Sequence, residues 1–523
     1  MRRNPMNRSS WVSGLVFVAA LSCSSGGSPS GGGTDAGSGN HAPVAVGGGR
    51  VLLAGTTGSR IPFVDDPDLR DTFTVQILSQ PQRGSATADA NRWVYASSGG
   101  ASSSDGFSYQ VTDSGGATVG GSAVVRIYTA TQLTGCTTAS VVDATTGAIT
   151  TPLKANRCAL YAEIQTRVSE TGTAVTVPIF ADEPSSADGY KGVVVLIGGG
   201  DLTQGLVGTP STGVPGTTGG PNFLIRSAQL FAEAGYEAVA LDKPSDQPPP
   251  GTTDTTLSSD AYRISVKQAV DILQVVRWVN TRNAPVFLAG TSRGAISAVA
   301  QNLIAAGISL SSPVTLSGSN PAYDYVGRPD VPSLLPGSVK RAAHVLWHQN
   351  DACGISPPSG SQSLANALGL ANPTQSSTAS GGTPVTTAGG GITPDVCGPW
   401  HYHGDVGIEP TVVGSVTSWL DAQIAALGSN HRPDAAFLTV SATVGTPAHV
   451  DLTALTRDAD GDALTYGVSS PATALGGTVS AQGGSVSYAA PPGAAGKTDY
   501  FVYVADDGKG GVAAAVVTVQ VGG

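Results

Sequence analysis

Three short stretches carry side chains that could do chemistry together. The first is "VFLAGTSRGAIS" (286–297), where Ser292 stands between Gly290 and Gly294. The second is "NDACGISPP", which holds Asp351, and the third is "CGPWHYHGD", which holds His401 and His403. A serine hydroxyl becomes a nucleophile when a histidine takes its proton and a carboxylate orients that histidine. The G-x-S-x-G spacing suits a serine on a tight turn between a strand and a helix. With 70 glycines in 523 residues, however, such a pentapeptide can arise by chance. Its surroundings have to decide. "VFLAG" reads as a buried strand and "AISAVAQNLIAAG" as a helix, which is the required order.

The elements around these stretches alternate between strand and helix patterns. "AVTVPIF" (174–180) and "GVVVLIGGG" (192–200) read as strands. "NFLIRSAQLFAEAG" follows as an amphipathic helix with Asn222 as its N-cap, and then "YEAVAL" as a strand. "DAYRISVKQAVDILQVVRWVNTR" (260–282) predicts one long helix before the strand "APVFLAG". Later "SSPVTLSG" (311–318) and "AAHVLWHQ" (342–349) read as strands, and "GSVTSWLDAQIAALG" (414–428) as a closing helix. Such alternation predicts a mostly parallel, doubly wound sheet covered on both faces. Asp351 then falls at the C-terminal end of a strand, where open sheets gather functional groups.

On these motifs the segment 136–428 resembles an α/β-hydrolase. The resemblance implies the chain order Ser292, Asp351, then a late histidine followed by glycine. His403–Gly404 fits that pattern, with His401 as the alternative base. It further implies an oxyanion hole built from the backbone N–H of Arg293 and from Gly199 and Gly200 in "LIGGGD". A plain glycine-rich loop is the competing reading of that stretch. His344 and His348 fall within or beside a strand and read as structural. Asp324 and Asp330 are alternative acids without a neighbouring histidine. Chemistry of this kind requires no metal or organic cofactor.

The two ends of the chain resemble each other. "HAPVAV" leads to "DGFSYQVTDSGGATVGGSAVVRIY" near the start, and "HRPDAA" leads to "TDYFVYVADDGKGGVAAAVVTVQV" near the end. Short alternating runs between Gly, Asp and Pro turns predict antiparallel sandwiches at 41–129 and 431–523. Both are similar to bacterial cadherin-like and immunoglobulin-like surface modules. The α/β domain is thus expected between two all-β sandwiches, which would act as spacers or adhesive units. Asp458, Asp460 and Asp462 alternate in "DADGD". They could offer oxygens to Ca²⁺ or simply form a turn.

The remaining signals concern compartment. Arg2, Arg3 and Arg8 precede a short apolar stretch ending "AALSC", which predicts an export signal over 1–22. The segment resembles a bacterial lipoprotein signal, implying lipidation of Cys23, a flexible tether over 23–40 and an outer-membrane or surface anchor; plain secretion is the alternative. No other stretch qualifies as a membrane span. Of the five cysteines, setting Cys23 aside leaves two natural pairs, Cys136–Cys158 and Cys353–Cys397. Secreted relatives of the hydrolase type share the "D-x-C" turn and later "C-G-P…H-G", which ties the second pair to Asp351 and His403. The net charge of −10 without a basic stripe argues against nucleic-acid binding. The expectation is an exported serine hydrolase acting on an ester substrate. Extracellular polyester depolymerases resemble this layout, which implies a polymeric ester as one candidate substrate. A serine peptidase is one alternative, and a surface adhesion protein with an inactive hydrolase domain is another. Oligomeric state is not specified by the sequence.

Overall fold

The computed structural model describes residues 40–128 and 159–523, apart from positions 41, 46, 63, 67–71, 100–102, 185–189, 210–213, 218–221, 249–251, 254, 281–282, 317–329, 335–339, 371–374 and 387–394. Cys23, Cys136, Cys158, Asp324 and the segment 1–39 lie outside the described residues.

The central domain is built on one eight-stranded sheet. Its strands are β1 (Leu160–Val168), β2 (Ala174–Asp182), β3 (Val193–Ile197), β4 (Glu237–Leu241), β5 (Val286–Thr291), β6 (Gly307–Ser311), β7 (Ala342–His348) and β8 (Ser376–Ala379). They lie side by side in the order β1-β2-β4-β3-β5-β6-β7-β8. β1, β2 and β4 pair antiparallel, and every pair from β4 to β8 is parallel. β3, β5 and β6 are buried along their whole length, as strands covered on both faces must be. Four helices matter below: α1 (Thr255–Arg263), α2 (Val266–Val279), α3 (Gly294–Ala300) and α4 (Glu409–Leu427).

Three local expectations need correction. The strand expected at 311–318 lies earlier, at Gly307–Ser311, because 307–311 completes the register beside β5. The single helix expected over 260–282 is two, since Ser265 takes an extended conformation (ψ 158°) between α1 and α2. The helix expected after Asn222 likewise divides at Ser227, although the Asn222 side chain does accept the Leu224 N–H at 3.2 Å.

Each flanking module is a two-sheet sandwich with the same topology. The N-terminal four-stranded sheet joins Gly48–Leu53, Thr118–Tyr128, Ser103–Asp113 and Phe73–Ile77, with the first two parallel. The C-terminal counterpart joins Leu438–Thr443, Val512–Gly522, Thr498–Asp506 and Thr465–Val468 in the same order and sense. A buried tyrosine–aspartate bond repeats at matching positions, Tyr95 to Asp105 and Tyr488 to Asp499, each 2.9 Å. The repeat is therefore one of hydrogen bonding as well as pattern.

These modules are packed onto the central domain. Twelve of the 14 residues of α2 are buried, the signature of a helix covered all round. One side faces the sheet; Tyr500, Val502, Val504, Val512, Ala514 and Val516 of the C-terminal module share the same apolar core. The Tyr500 hydroxyl also accepts the Val168 N–H at 2.8 Å. At the other module, Arg50 and Arg60 both pair with buried Glu183, and Arg60 donates to the Val279 carbonyl at 2.8 Å. Each well-buried aliphatic side chain in such a core contributes roughly 1.5–3 kcal/mol. Removing residues 430–523 is therefore expected to destabilise the central domain itself. Calorimetry should show one shared transition in the full chain and a markedly lower melting temperature after truncation, whereas independent modules would leave the central transition in place.

Candidate active site

Ser292 sits where β5 turns into α3, with a left-handed backbone (φ 54°). For a residue with a Cβ this costs of order 1–3 kcal/mol, and several contacts hold it. The Ser292 N–H donates to the Ser311 carbonyl at 2.9 Å, and the Ser292 carbonyl accepts from Ala295 at 3.2 Å and Val314 at 3.3 Å. The flanking glycines are required by contact. A Cβ on Gly290 would lie 2.3 Å from the Gly294 carbonyl oxygen, and one on Gly294 would lie 2.1 Å from that of Ile197. The spacing in "GTSRG" thus lets α3 lie directly on the ends of β5 and β3.

β5, β6 and β7 run parallel in succession, so their C-terminal ends share one edge of the sheet. Strands about 4.8 Å apart put the ends of β5 and β7 roughly 10 Å from each other, within reach of a bridging imidazole. Asp351 follows β7 and His403 lies in the turn Tyr402–Gly404. The structure brings these two together: His403 Nδ1 donates to Asp351 Oδ2 at 2.8 Å, and Asp351 Oδ1 accepts the Cys353 N–H at 2.9 Å. His403 Nε2 is buried with no hydrogen-bond partner among the described residues. His401, the alternative base, makes no hydrogen bond to Asp351 among the described residues, and burial pushes its pKa down.

Burial also disfavours the His403 imidazolium, but the charge of Asp351 and its hydrogen bond outweigh this, and the pKa lies above the ordinary 6.5. Asp405 adds to the negative surroundings. It is fully buried with a left-handed backbone (φ 51°), and burial raises its pKa to about 7. The Ser311 hydroxyl donates to its Oδ2 at 3.3 Å. Arg226, buried and paired with Glu409 at 2.9 Å, donates to the Gly404 carbonyl and fixes this turn.

The Cys353–Cys397 disulfide is present, with Cα atoms 4.6 Å apart. It joins the segment behind Asp351 to the segment leading to His403. His348 helps from the strand end: its Nδ1 accepts the Asn350 N–H at 3.0 Å, so its Nε2 donates to the Gly381 carbonyl at 2.9 Å. Its ring stacks on Tyr402 at 4.4 Å. His344 is buried against Trp419, and burial lowers its pKa to about 4. Asp330 accepts the Ser333 N–H at 2.7 Å and caps a short helical turn.

The loop after β3 faces Ser292. A Cβ on Gly199 would lie 2.8 Å from Ser292 Cβ and 3.3 Å from Ser292 Oγ, so this residue lies against the serine. Gly200 has a left-handed backbone (φ 66°) and open space around it. Gln204 supports the loop by donating to the Gly199 carbonyl at 3.1 Å and the Leu202 carbonyl at 3.2 Å. Arg293, next to the serine, forms a buried ion pair with Asp260 of α1. Asp260, Arg263 and Gln204 have no motif to announce them, and the sequence alone did not single them out.

Far from this edge, oxygens of Asp458, Asp460 and Asp462 lie within 4.8 Å of one another. Asp458 accepts the N–H groups of Asp460 and Asp462, His431 bonds Asp460, and Lys509 pairs with Asp462. The three carboxylates thus share a turn bonded by its own N–H groups, His431 and Lys509.

Comparison with known proteins agrees with the geometry at both ends. Residues 40–127 and 430–520 match the family model described as bacterial Ig domain. Both ends are bacterial Ig domains. The middle, on its strand order and the turn at Ser292, has an α/β-hydrolase-like fold. No curated protein matches the chain significantly. Among solved structures, an α/β serine hydrolase without lid from Xanthomonas campestris is 17% identical, covering 50% of this chain and 94% of that one, with a TM-score of 0.30. Est1E from Butyrivibrio proteoclasticus is 12% identical over 51% and 99%, TM-score 0.32. A thermophilic esterase from Thermogutta terrifontis is 14% identical over 51% and 94%, TM-score 0.28. Bacterial Ig domains and a disulfide together suggest an exported surface protein. Among the described residues no helix is long and apolar enough to cross a membrane.

The contact at Gly199 is directly testable. Gly199→Ala must displace either the loop or Ser292, and misplacement on this scale can cost about 100-fold in rate. Turnover of an activated ester should fall by that order while the circular dichroism spectrum stays unchanged.

Proposed function

We propose that the central domain is a serine hydrolase acting on carboxylic esters. Ser292 Oγ attacks the acyl carbonyl while His403 Nε2 takes its proton; the alkoxide leaves carrying that proton back from His403. Water then enters, is deprotonated by His403 and releases the acid from Ser292. Asp351 holds the ring with Nε2 as the acceptor and stabilises the imidazolium. Backbone N–H groups of Arg293, Gly199 and Gly200 stabilise the oxyanion in both halves. The scheme calls for no metal or cofactor.

The observation that carries this reading is the buried His403–Asp351 bond, with Nε2 unpartnered at the sheet edge where Ser292 is held in a strained turn. A merely structural histidine would have both nitrogens bonded, as His344 and His348 do. The exported setting favours an extracellular ester, and a polymeric one would suit a chain that carries Ig modules.

A fluorophosphonate probe should label the wild-type protein and fail to label Ser292→Ala. Side-by-side p-nitrophenyl esters and peptide anilides then separate esterase from peptidase. Absence of both labelling and turnover in folded protein would favour the adhesion reading.

The pH profile follows from His403, which must be neutral to act as base. Because Asp351 raises its pKa, kcat/KM should rise with pH through a midpoint above 6.5. Asp351→Asn removes the largest raising influence and leaves burial, which lowers the pKa, opposed only by the weaker influence of Asp405 and Asp395. The acid limb should therefore move downward while the plateau falls by about 10⁴-fold. A limb that stays in place would show that another group titrates.

A further inference from the structure

Arg263 ends helix α1 and is fully buried. Among the described residues no carboxylate pairs with it. Its Nη2 instead donates to three successive carbonyls, those of Gly198 at 3.1 Å, Gly199 at 3.3 Å and Gly200 at 3.2 Å. Its Nη1 donates to Ser297 Oγ at 3.0 Å, on the helix behind the nucleophile. Burial pushes the guanidinium pKa down, to about 9, so it is still charged at neutral pH. An unpaired buried cation is costly to keep, and here one of its terminal nitrogens is given over to a single loop while the other bonds the neighbouring helix.

We propose that Arg263 is the positioning residue of the oxyanion hole, clamping the 198–200 loop so that its N–H groups face Ser292. The inference rests on the ester-hydrolase reading above. In a trans peptide the C=O and the following N–H point in opposite directions. Among the described residues the single cis bond is Gln247–Pro248. Drawing the carbonyls of Gly198, Gly199 and Gly200 toward Arg263 therefore turns the N–H groups of Gly199, Gly200 and Asp201 away from it. The Cα of Gly199, between the first two of these peptides, lies against Ser292.

Helix α1 reaches the other donor as well. Asp260 is three residues before Arg263, so both lie on one helical face. Asp260 pairs with Arg293, whose N–H follows the nucleophile. Gln301, at the end of α3, donates to the carbonyls of Arg263 and Ser265 at 3.0 Å each, tying the break between α1 and α2 to the nucleophile helix. One face of α1 thus sets both sides of the hole, and the break after Arg263 lets the chain end there.

The test compares wild type with Arg263→Met and Arg263→Lys, using an activated ester and a trifluoromethyl ketone that forms a tetrahedral oxyanion adduct. Arg263→Met should lower kcat by about 100-fold, the loss expected for a missing oxyanion donor. KM should stay within about threefold, because the interaction acts in the transition state. The ketone's inhibition constant should rise in parallel with the loss in kcat/KM. Arg263→Lys, which keeps the charge and three donors but not the fork, should recover part of both. A variant that merely misfolds loses active sites by titration without changing the inhibition constant of those remaining. If Arg263→Met does not accumulate, Arg263→Lys decides by the same two readouts. An active wild type with an unchanged inhibition constant in the variants overturns the clamp alone. A wild type without ester turnover overturns the parent reading.

Discussion

The turn at Ser292 is the constraint around which the central domain is arranged. A left-handed serine persists only if its surroundings overdetermine it. The Ser311 carbonyl at the end of β6, the Val314 N–H beyond it, and the contacts of Gly290 and Gly294 do so from different directions. Each comes from a separate element, so β3, β5, β6 and α3 must all be in place before the serine can be. The turn sets Ser292, itself buried, at the edge where the parallel strands end.

Buried charge surrounds this turn. Arg226 pairs with Glu409 and Arg293 with Asp260, while Arg263 pairs with carbonyl oxygens. Hydrophobic replacements of buried ion pairs are often neutral or stabilising, so raw stability does not account for these. What the pairs supply is direction. Arg226 fixes the turn that carries His403, Asp260 the residue beside the nucleophile, and Arg263 the glycine loop. Apolar packing could fill the same volumes, but it would not orient peptide planes.

How much of this was legible in the sequence depended on whether the constraint falls on residue type. The turn at Ser292 was legible because close approach demands glycine at two fixed positions. Buried parallel strands were legible because burial on both faces leaves continuous apolar runs. β6 was misplaced since "GISLS" is small and weakly β-forming, while "PVTL" just after it has the stronger strand composition. Its glycine is a packing requirement, with the Trp419 ring 3.0 Å from where a Cβ would stand. The break between α1 and α2 left no trace because neither Pro nor Gly marks it, and apolar spacing continues through. Arg263 was invisible for a deeper reason. Its partners in the glycine loop are backbone carbonyls, which every residue has, so no pattern of side chains could point to that contact.

The packing of the Ig modules gives those invisible contacts a wider foundation. Tyr500 of the C-terminal module bonds the backbone of Val168 at the end of β1. The neighbouring Arg167 bonds Asp271 of α2 at 3.0 Å, and Asp271 accepts the Tyr262 hydroxyl of α1 at 2.7 Å. Tyr262 immediately precedes Arg263. Directed hydrogen bonds, joined through the Arg167–Val168 peptide, therefore link an Ig module to the helix that carries Arg263. Such a chain says nothing by itself about signalling between sites. It does explain why α2 can be buried on nearly every side and why α1 can end abruptly over the glycine loop. The covering modules supply burial that a free-standing α/β domain would have had to find elsewhere, and the support for α1 includes Tyr500, far later in the chain.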